Sequence, residues 1–136
     1  MKKILILSLA VLLSLPAALP ASAGGCAPAS EDQERRGIVE ALQAELSETL
    51  GVEAEFDFNW FGVEDGWAWV ETEPRSADGL NRYEPFLALL KKDGDTWVIV
   101  DVPALEEDSP PVDDAYFRGL MEAHPGLPEG IFPWGE

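Results

Sequence analysis

The chain has 136 residues, of which 26 are acidic and 9 are basic, so its formal net charge is −17 at pH 7. This charge argues against binding to nucleic acid or to an anionic membrane surface, because both need lysine and arginine to neutralise phosphate. A hydrophobic fraction of 46% is sufficient for one folded domain. Because the chain has one His and one Cys, it cannot form an internal disulfide or a metal site built from several such ligands, and we expect no cofactor and no metal.

The first 23 residues have the pattern of a signal peptide. Lys2 and Lys3 precede an apolar run over residues 4–15, which is too short for a membrane-spanning helix of roughly twenty residues. Small residues at Ala21-Ser22-Ala23 are typical of a cleavage site. We therefore expect the chain to be exported and to become periplasmic or secreted.

Cys26 allows a second interpretation of the same region. The sequence Ala23-Gly24-Gly25-Cys26 is a loose form of the motif in which the cysteine is lipidated and becomes the first residue of a lipoprotein. In that case the protein would be held at the outer membrane through the lipid on Cys26 alone. Cleavage after Ala23 gives a signal peptide over residues 1–23 and a linker over residues 24–30, whereas lipidation would make Cys26 the first residue. Both interpretations predict a single domain over residues 31–136.

A long amphipathic helix is predicted over Glu31–Leu50. Ser30 is suited to the N-cap and Gly51 to the left-handed position that ends a helix. Acidic residues in the first turn complement the helix dipole. Apolar residues at intervals of four predict the face that packs on the rest of the domain: Ile38, Leu42, Leu46 and Leu50.

Two antiparallel hairpins are predicted after this helix. Apolar and polar residues alternate in the first strand, and the Asp65-Gly66 and Asp93-Gly94 pairs favour tight turns. The predicted strands cover residues 52–60, 67–73, 86–92 and 96–102. A short helix is predicted over residues 113–123, followed by an apolar extended flap. The predicted fold is therefore α+β, with the long N-terminal helix packed on a four-stranded antiparallel meander sheet and a short helix near the C-terminus.

This order of elements resembles the cystatin-like and nuclear-transport-factor-like class of α+β folds. The turn Asp65-Gly66-Trp67-Ala68, the run from Leu89 through Gly94 into Trp97-Val98-Ile99-Val100, and His124-Pro125-Gly126-Leu127-Pro128 ahead of Phe132-Pro133 also resemble small exported bacterial proteins of unknown function. The resemblance implies the fold class and export. It rests on hairpin and core residues, so it implies no catalytic residue.

The sequence offers no candidate catalytic residue. Nucleophilic catalysis needs a nucleophile, a base and a group that orients the base. His124 is the only histidine, and its position before Pro125 at a helix end suggests a local role against the last carbonyls of that helix. With 26 acidic residues, some carboxylate pair will always have a spacing that suits glycoside hydrolysis, so such pairs carry no information.

Four residues are candidates for ligand binding: Trp67, Trp69, Arg75 and Arg82. The chain has five tryptophans, and packing of those in the predicted strands under the long helix would explain most of the five: Trp60, Trp67, Trp69 and Trp97. If Trp67 and Trp69 instead face away from the helix, they would form an exposed aromatic stripe suited to a cationic ligand. Arg75 and Arg82 lie in the predicted loop over residues 75–85, where we expect them to pair with nearby carboxylates.

The sequence favours an exported, non-enzymatic binding or scaffolding domain of the bacterial envelope, whose partner is an unknown protein or a small cationic ligand. One alternative is a small pocket enzyme of the nuclear-transport-factor-like kind that uses a buried carboxylate, with Asp57 and Asp101 as candidates. A second alternative is an inhibitor of an extracellular enzyme, in which the loop over residues 75–85 or the tips of the hairpins enter the target's cleft.

Overall fold

The computed structural model describes residues 30–135. The predicted signal peptide, the linker up to residue 29 and Cys26 lie outside these residues. The described elements are α1 (Glu31–Leu50), β1 (Glu55–Glu64), β2 (Trp67–Arg75), β3 (Phe86–Asp93), β4 (Thr96–Asp101), α2 (Asp114–Ala123) and a 3-10 turn (Glu129–Ile131). The strands form one antiparallel sheet in the order β1-β2-β3-β4. The predicted α+β fold is confirmed.

Both ends of α1 are capped as the sequence predicts. The Ser30 hydroxyl accepts a hydrogen bond from a first-turn backbone N–H at 3.3 Å, and Gly51 has a φ of 65°. The Gln43 side chain then holds the next segment, because it donates to the Val52 carbonyl at 3.3 Å and accepts from the Ala54 N–H at 3.0 Å. These bonds fix the direction in which the chain leaves α1 and enters β1.

The two hairpin turns follow the usual geometry of tight connections. Asp65 and Gly66 have φ values of 51° and 77°, and positive φ at both central positions defines the type I′ turn. The second turn lies one residue later than predicted, because Asp93 still pairs with Thr96. Gly94, with a φ of 61°, occupies the first loop position, where a type II′ turn requires glycine.

β2 continues through Pro74, although the sequence suggests that this proline ends it. Pro74 pairs with Phe56 of β1, and its carbonyl accepts from the Tyr83 N–H at 2.9 Å on the other side. The N–H and C=O of a strand residue point to the same side. The N–H that proline lacks would therefore face the loop, so the β1–β2 ladder loses no hydrogen bond.

One face of the sheet packs on α1. Ile38 and Leu42 are fully buried there, and they contact a set of strand residues: Ala68, Val70, Ala88, Leu90 and Trp97. Leu50, the last residue of the predicted apolar face, is instead 58% exposed. It lies at the end of α1, where it borders an open groove.

An ion pair and an indole hydrogen bond fasten the other end of α1 to the second hairpin. The Glu34 carboxylate accepts from Lys92 Nζ at 2.7 Å and from Trp97 Nε1 at 2.9 Å. Both Lys92 and Glu34 are largely shielded from solvent, so this contact is screened less than an exposed ion pair. It fixes how α1 lies across β3 and β4.

The opposite face of the sheet is covered by α2 and the residues that follow it. Trp69 is fully buried, with ring centroids 5.4 Å from Phe117 and 5.6 Å from Phe132. Trp60 Nε1 donates to the Ile131 carbonyl at 2.7 Å and so holds the final segment on β1. The domain therefore has three layers, with the sheet in the middle.

This arrangement corrects the sequence-based interpretation of the tryptophans. Trp60, Trp67 and Trp69 do not pack under the long helix, because they belong to the cluster on the other face. The exposed aromatic stripe does not form either, since α2 and the 3-10 turn cover it. β2 is apolar on both faces, and each face finds its own covering layer.

Candidate functional site: a groove at the end of α1

The structure places the two predicted binding tryptophans in the interior. Trp67 is nearly buried, with Lys91 Nζ 4.9 Å from the centroid of its ring and the His124 ring centroid at 5.6 Å. Trp69 Nε1 donates to Glu71 at 3.0 Å. A lysine of the chain itself thus takes the position against Trp67 that a cationic ligand would occupy.

The two predicted binding arginines pair with carboxylates. Arg75 lies 3.3 Å from Glu55 and 3.1 Å from Asp57, and Arg82 lies 3.4 Å from Glu73. The expected pairing is therefore confirmed. A backbone bridge brings Arg75 and Arg82 side by side, but the buried tryptophans belong to the core under α2, so the four residues do not form one site.

The two candidate acids of the enzyme alternative are engaged elsewhere. Asp57 is exposed and paired with Arg75. Asp101 accepts a hydrogen bond from the hydroxyl of Tyr116 on α2. Burial, together with this hydrogen bond, raises the pKa of Tyr116 above its ordinary value of 10.0. Neither carboxylate lines the grooves described next.

An open groove of about 550 Å³ lies between the last turns of α1 and the start of β3. We call it the α1 groove. Its apolar lining comes from three separate segments: Leu46, Leu50, Tyr83, Pro85, Phe86 and Val102. Its volume falls within the range of small-molecule sites, roughly 300–1,000 Å³.

The segment that forms one wall of the α1 groove is held by a closed turn. The Ser76 hydroxyl accepts from the Asn81 N–H at 3.0 Å, and the Asp78 carboxylate accepts from Ser76 and from the Leu80 N–H. These hydrogen bonds lower the pKa of Asp78 below its ordinary value. The turn brings the chain back beside the end of β2, where the Tyr83 N–H donates a hydrogen bond to the Pro74 carbonyl.

A second groove, of about 530 Å³, adjoins the first. We call it the β3 groove, because it separates the start of β3 from the chain that follows β4. Its walls are residues 84–87 and 102–106. The two grooves share Glu84, Pro85, Phe86 and Val102, so they form one continuous depression.

The α1 groove combines an apolar lining with a few polar side chains, which is typical of ligand-binding sites. The polar side chains of the α1 groove are Glu45, Thr49, Arg82 and Glu84. The Thr49 hydroxyl donates to Glu45 at 3.3 Å, and Arg82 is paired with Glu73. Within residues 30–135, no group of three His, Cys, Asp or Glu side chains is arranged to hold a metal ion.

Sequence reasoning missed the groove residues Leu50, Tyr83, Phe86 and Val102. Leu50, Phe86 and Val102 lie in helix or strand patterns that indicate core positions, whereas Tyr83 lies in a predicted loop. Only the meeting of three segments brings the four residues together around one groove. One signal was present: Leu50 directly precedes the capping Gly51, and a residue in the last turn of a helix can extend beyond the sheet beneath it.

Comparison with protein-family models, with curated proteins and with solved structures found no match for this chain. The resemblance to the cystatin-like and nuclear-transport-factor-like folds therefore stays a prediction. Among the described residues, no helix has both the length and the apolar character to cross a membrane.

Proposed function

We propose that this chain is an exported, non-enzymatic binding domain of the bacterial envelope, and that the α1 groove is its ligand site. The observation that carries the proposal is a group of exposed apolar side chains at one end of the sheet. Leu50, Val102 and Leu105 are 58%, 43% and 48% exposed, and all three line the continuous depression. Grouped exposed apolar residues are typical of binding sites.

Burial of apolar surface would supply the binding free energy. Covering one leucine-sized side chain contributes about 1.5–3 kcal/mol. The α1 groove offers such apolar surface at Leu50 and Val102, which are 58% and 43% exposed. The site is also largely formed before a ligand arrives, because caps, turns and strand pairing hold its walls in place.

The arrangement of polar groups supports binding over catalysis. A reactive nucleophile needs a neighbouring base that a third group orients. In the α1 groove, the hydroxyl of Thr49 is bonded to Glu45 within the same helix, and the guanidinium of Arg82 is directed to Glu73. Asp57 and Asp101, the acids considered for an enzyme, lie outside the groove.

The export part of the proposal rests on the sequence. Lys2 and Lys3, the short apolar run and the small residues before Gly24 support cleavage at Ala23 or lipidation at Cys26. Intact-mass analysis of envelope fractions from the native host distinguishes the two routes, since lipidation adds a diacylglycerol mass to Cys26. Recovery of the uncleaved chain from the cytoplasm would contradict export.

Binding to the groove is tested with Nile red, a neutral dye whose emission rises in apolar surroundings. We expect a saturable rise with the wild-type domain and a dye affinity several-fold lower in Leu50→Ser. Val98→Ser is the matched control, because Val98 is 47% exposed on β4 and lies outside the α1 groove. Equal loss in both variants, or no binding by the wild type, would contradict the proposal.

A further inference from the structure

The α1 groove carries two carboxylates that lack a basic partner among the described residues. Glu45 lies half-buried near the end of α1, and Glu84 lies exposed just before β3. Within residues 30–135, neither forms an ion pair, and Glu45 accepts its hydrogen bond from the neutral hydroxyl of Thr49. A charge that is partly withdrawn from water is stabilised by an opposite charge beside it. The two carboxylates therefore favour a cation in the groove.

The basic side chain of the groove lining is already paired. Arg82 lies 3.4 Å from Glu73, which is not itself part of the lining. An anionic ligand would compete with Glu73 for this guanidinium and would also be repelled by Glu45 and Glu84. The net charge of −17 adds to that repulsion and attracts cations from solution. The charge of the site therefore disfavours anions.

The rest of the lining suits an apolar body attached to that cation. Leu50 and Val102 are 58% and 43% exposed, and both line the groove. Tyr83 and Phe86 line it as well and are half-buried, so part of each side chain stays accessible. An aromatic ring attracts an ammonium group that approaches its face. Carboxylates, aromatic rings and aliphatic side chains thus meet in one groove whose volume suits a small molecule.

We infer that the ligand of the α1 groove is a hydrophobic cation, a free small molecule in which an amine or quaternary ammonium group is attached to an apolar chain or ring. This inference rests on the proposed function, because it names the ligand class of the same groove. The ammonium group is attracted by Glu45 and Glu84, and the apolar part covers Leu50 and Val102. Covering these two side chains supplies affinity, and the carboxylates supply selectivity for the cation.

Three probes that share an octyl chain test the inference: octyltrimethylammonium, 1-octanol and octanesulfonate. Each is titrated into the isotope-labelled wild-type protein below the concentration at which it aggregates, and the amide chemical shifts are followed by NMR. We expect saturable shifts in residues 45–50, 82–86 and 102. The affinity for octyltrimethylammonium should exceed that for 1-octanol several-fold and that for octanesulfonate at least about tenfold. Tetramethylammonium, which has the charge without the chain, should bind at least about tenfold more weakly than octyltrimethylammonium.

Variants assign the selectivity to the two carboxylates. Glu45→Gln and Glu84→Gln should each weaken binding of octyltrimethylammonium several-fold and leave the affinity for 1-octanol unchanged. The matched control is Glu122→Gln, which removes one exposed carboxylate from α2. It tests the effect of the general negative charge and should leave both affinities unchanged. Added salt should reduce the preference for the cation, because exposed charges are screened.

The outcomes separate this inference from the proposed function. Equal affinity for the three octyl probes would overturn the cationic ligand class, while Nile red binding that depends on Leu50 would still support an apolar site. Equal binding of tetramethylammonium and octyltrimethylammonium, or an equal loss of cation binding in Glu122→Gln and the groove variants, would reduce the effect to general charge attraction and overturn the inference.

A lipid headgroup is the other source of a quaternary ammonium group. Phosphatidylcholine vesicles present this group at a membrane surface, and we expect the protein to remain in the supernatant when they are sedimented. Co-sedimentation that Leu50→Ser abolishes would assign the groove to a lipid surface and overturn the inference of a free ligand. Failure of Nile red and of all octyl probes to bind would overturn both the inference and the proposed function.

Discussion

Gly37 of α1 lies directly against the indole ring of Trp97 on β4. A Cβ atom built at Gly37 would be 2.7 Å from Trp97 Cδ1, which is closer than carbon atoms pack. This contact explains a glycine in the interior of a long helix, where it costs about 1 kcal/mol relative to alanine. The close approach also lets Trp97 Nε1 reach Glu34.

We therefore predict that Gly37→Ala destabilises the domain although alanine is the better helix former. Overpacking against the ring should lower the free energy of unfolding by about 1–3 kcal/mol, measured by urea denaturation. The matched control is Gly119→Ala in α2, where a Cβ meets nothing within 4 Å. It should stabilise by about 0.5–1 kcal/mol. A gain in stability from Gly37→Ala would contradict the packing described here.

A second prediction concerns Gly62 of β1. A Cβ at this position would overlap the backbone carbonyl of Ile131, the same carbonyl that accepts from Trp60. Gly62→Ala should therefore displace the 3-10 turn and cost at least about 1–3 kcal/mol. Hydrogen exchange of the amides in residues 129–134 should accelerate more than that of α1. Val63→Ala, at an exposed neighbouring site, should change stability by less than about 0.5 kcal/mol.

A third prediction is a loss of stability at high pH that depends on Tyr116. Its pKa is raised in the folded state by burial and by the hydrogen bond to Asp101, so folding favours the protonated phenol. This contribution is complete below the unfolded-state pKa of about 10 and is lost as the pH rises through the folded-state value. Urea unfolding across this range should show the decline, and Tyr116→Phe should remove most of the part due to this group. An unchanged pH profile in the variant would contradict the assignment.

The fourth prediction is that His124 acts locally. The centroid of its ring lies 5.6 Å from that of the Trp67 ring. His124 is the C-cap residue of α2, and its backbone N–H donates to the Leu120 carbonyl at 2.9 Å. His124→Gln should lower the free energy of unfolding by about 0.5–1.5 kcal/mol through the lost ring contact. It should leave Nile red binding unchanged, because the α1 groove is on the opposite face of the sheet. Loss of binding with the fold intact would contradict both assignments.

The regular elements could be predicted from the sequence because their signals are local. Ser30 and Gly51 mark the ends of α1, and Asp65-Gly66 marks the first turn. The sequence does not show in the same way which element packs on which face of the sheet. Trp67, Ala68, Trp69 and Val70 are all buried, and a strand that is apolar on both faces does not indicate which layer covers which face.

The site depends on still less local information. Leu50, the segment from Tyr83 to Phe86, and Val102 are far apart in the sequence, and they meet because α1 and β4 both end beside the start of β3. Gly37 shows the same limit. Helix propensity makes this residue a weakness, and only the position of Trp97 shows that the chain needs it.

The two layers that enclose the sheet come from opposite ends of the described chain, with α1 first and the segment from α2 to Trp134 last. During synthesis, the sheet and α1 are complete before the residues that shield Trp60, Trp67 and Trp69 have been made. A chain that stops short of α2 would present those rings to other molecules, and such surfaces promote aggregation. Premature termination or proteolytic cleavage near residue 113 should therefore yield an aggregation-prone fragment, and not a smaller folded domain that still functions.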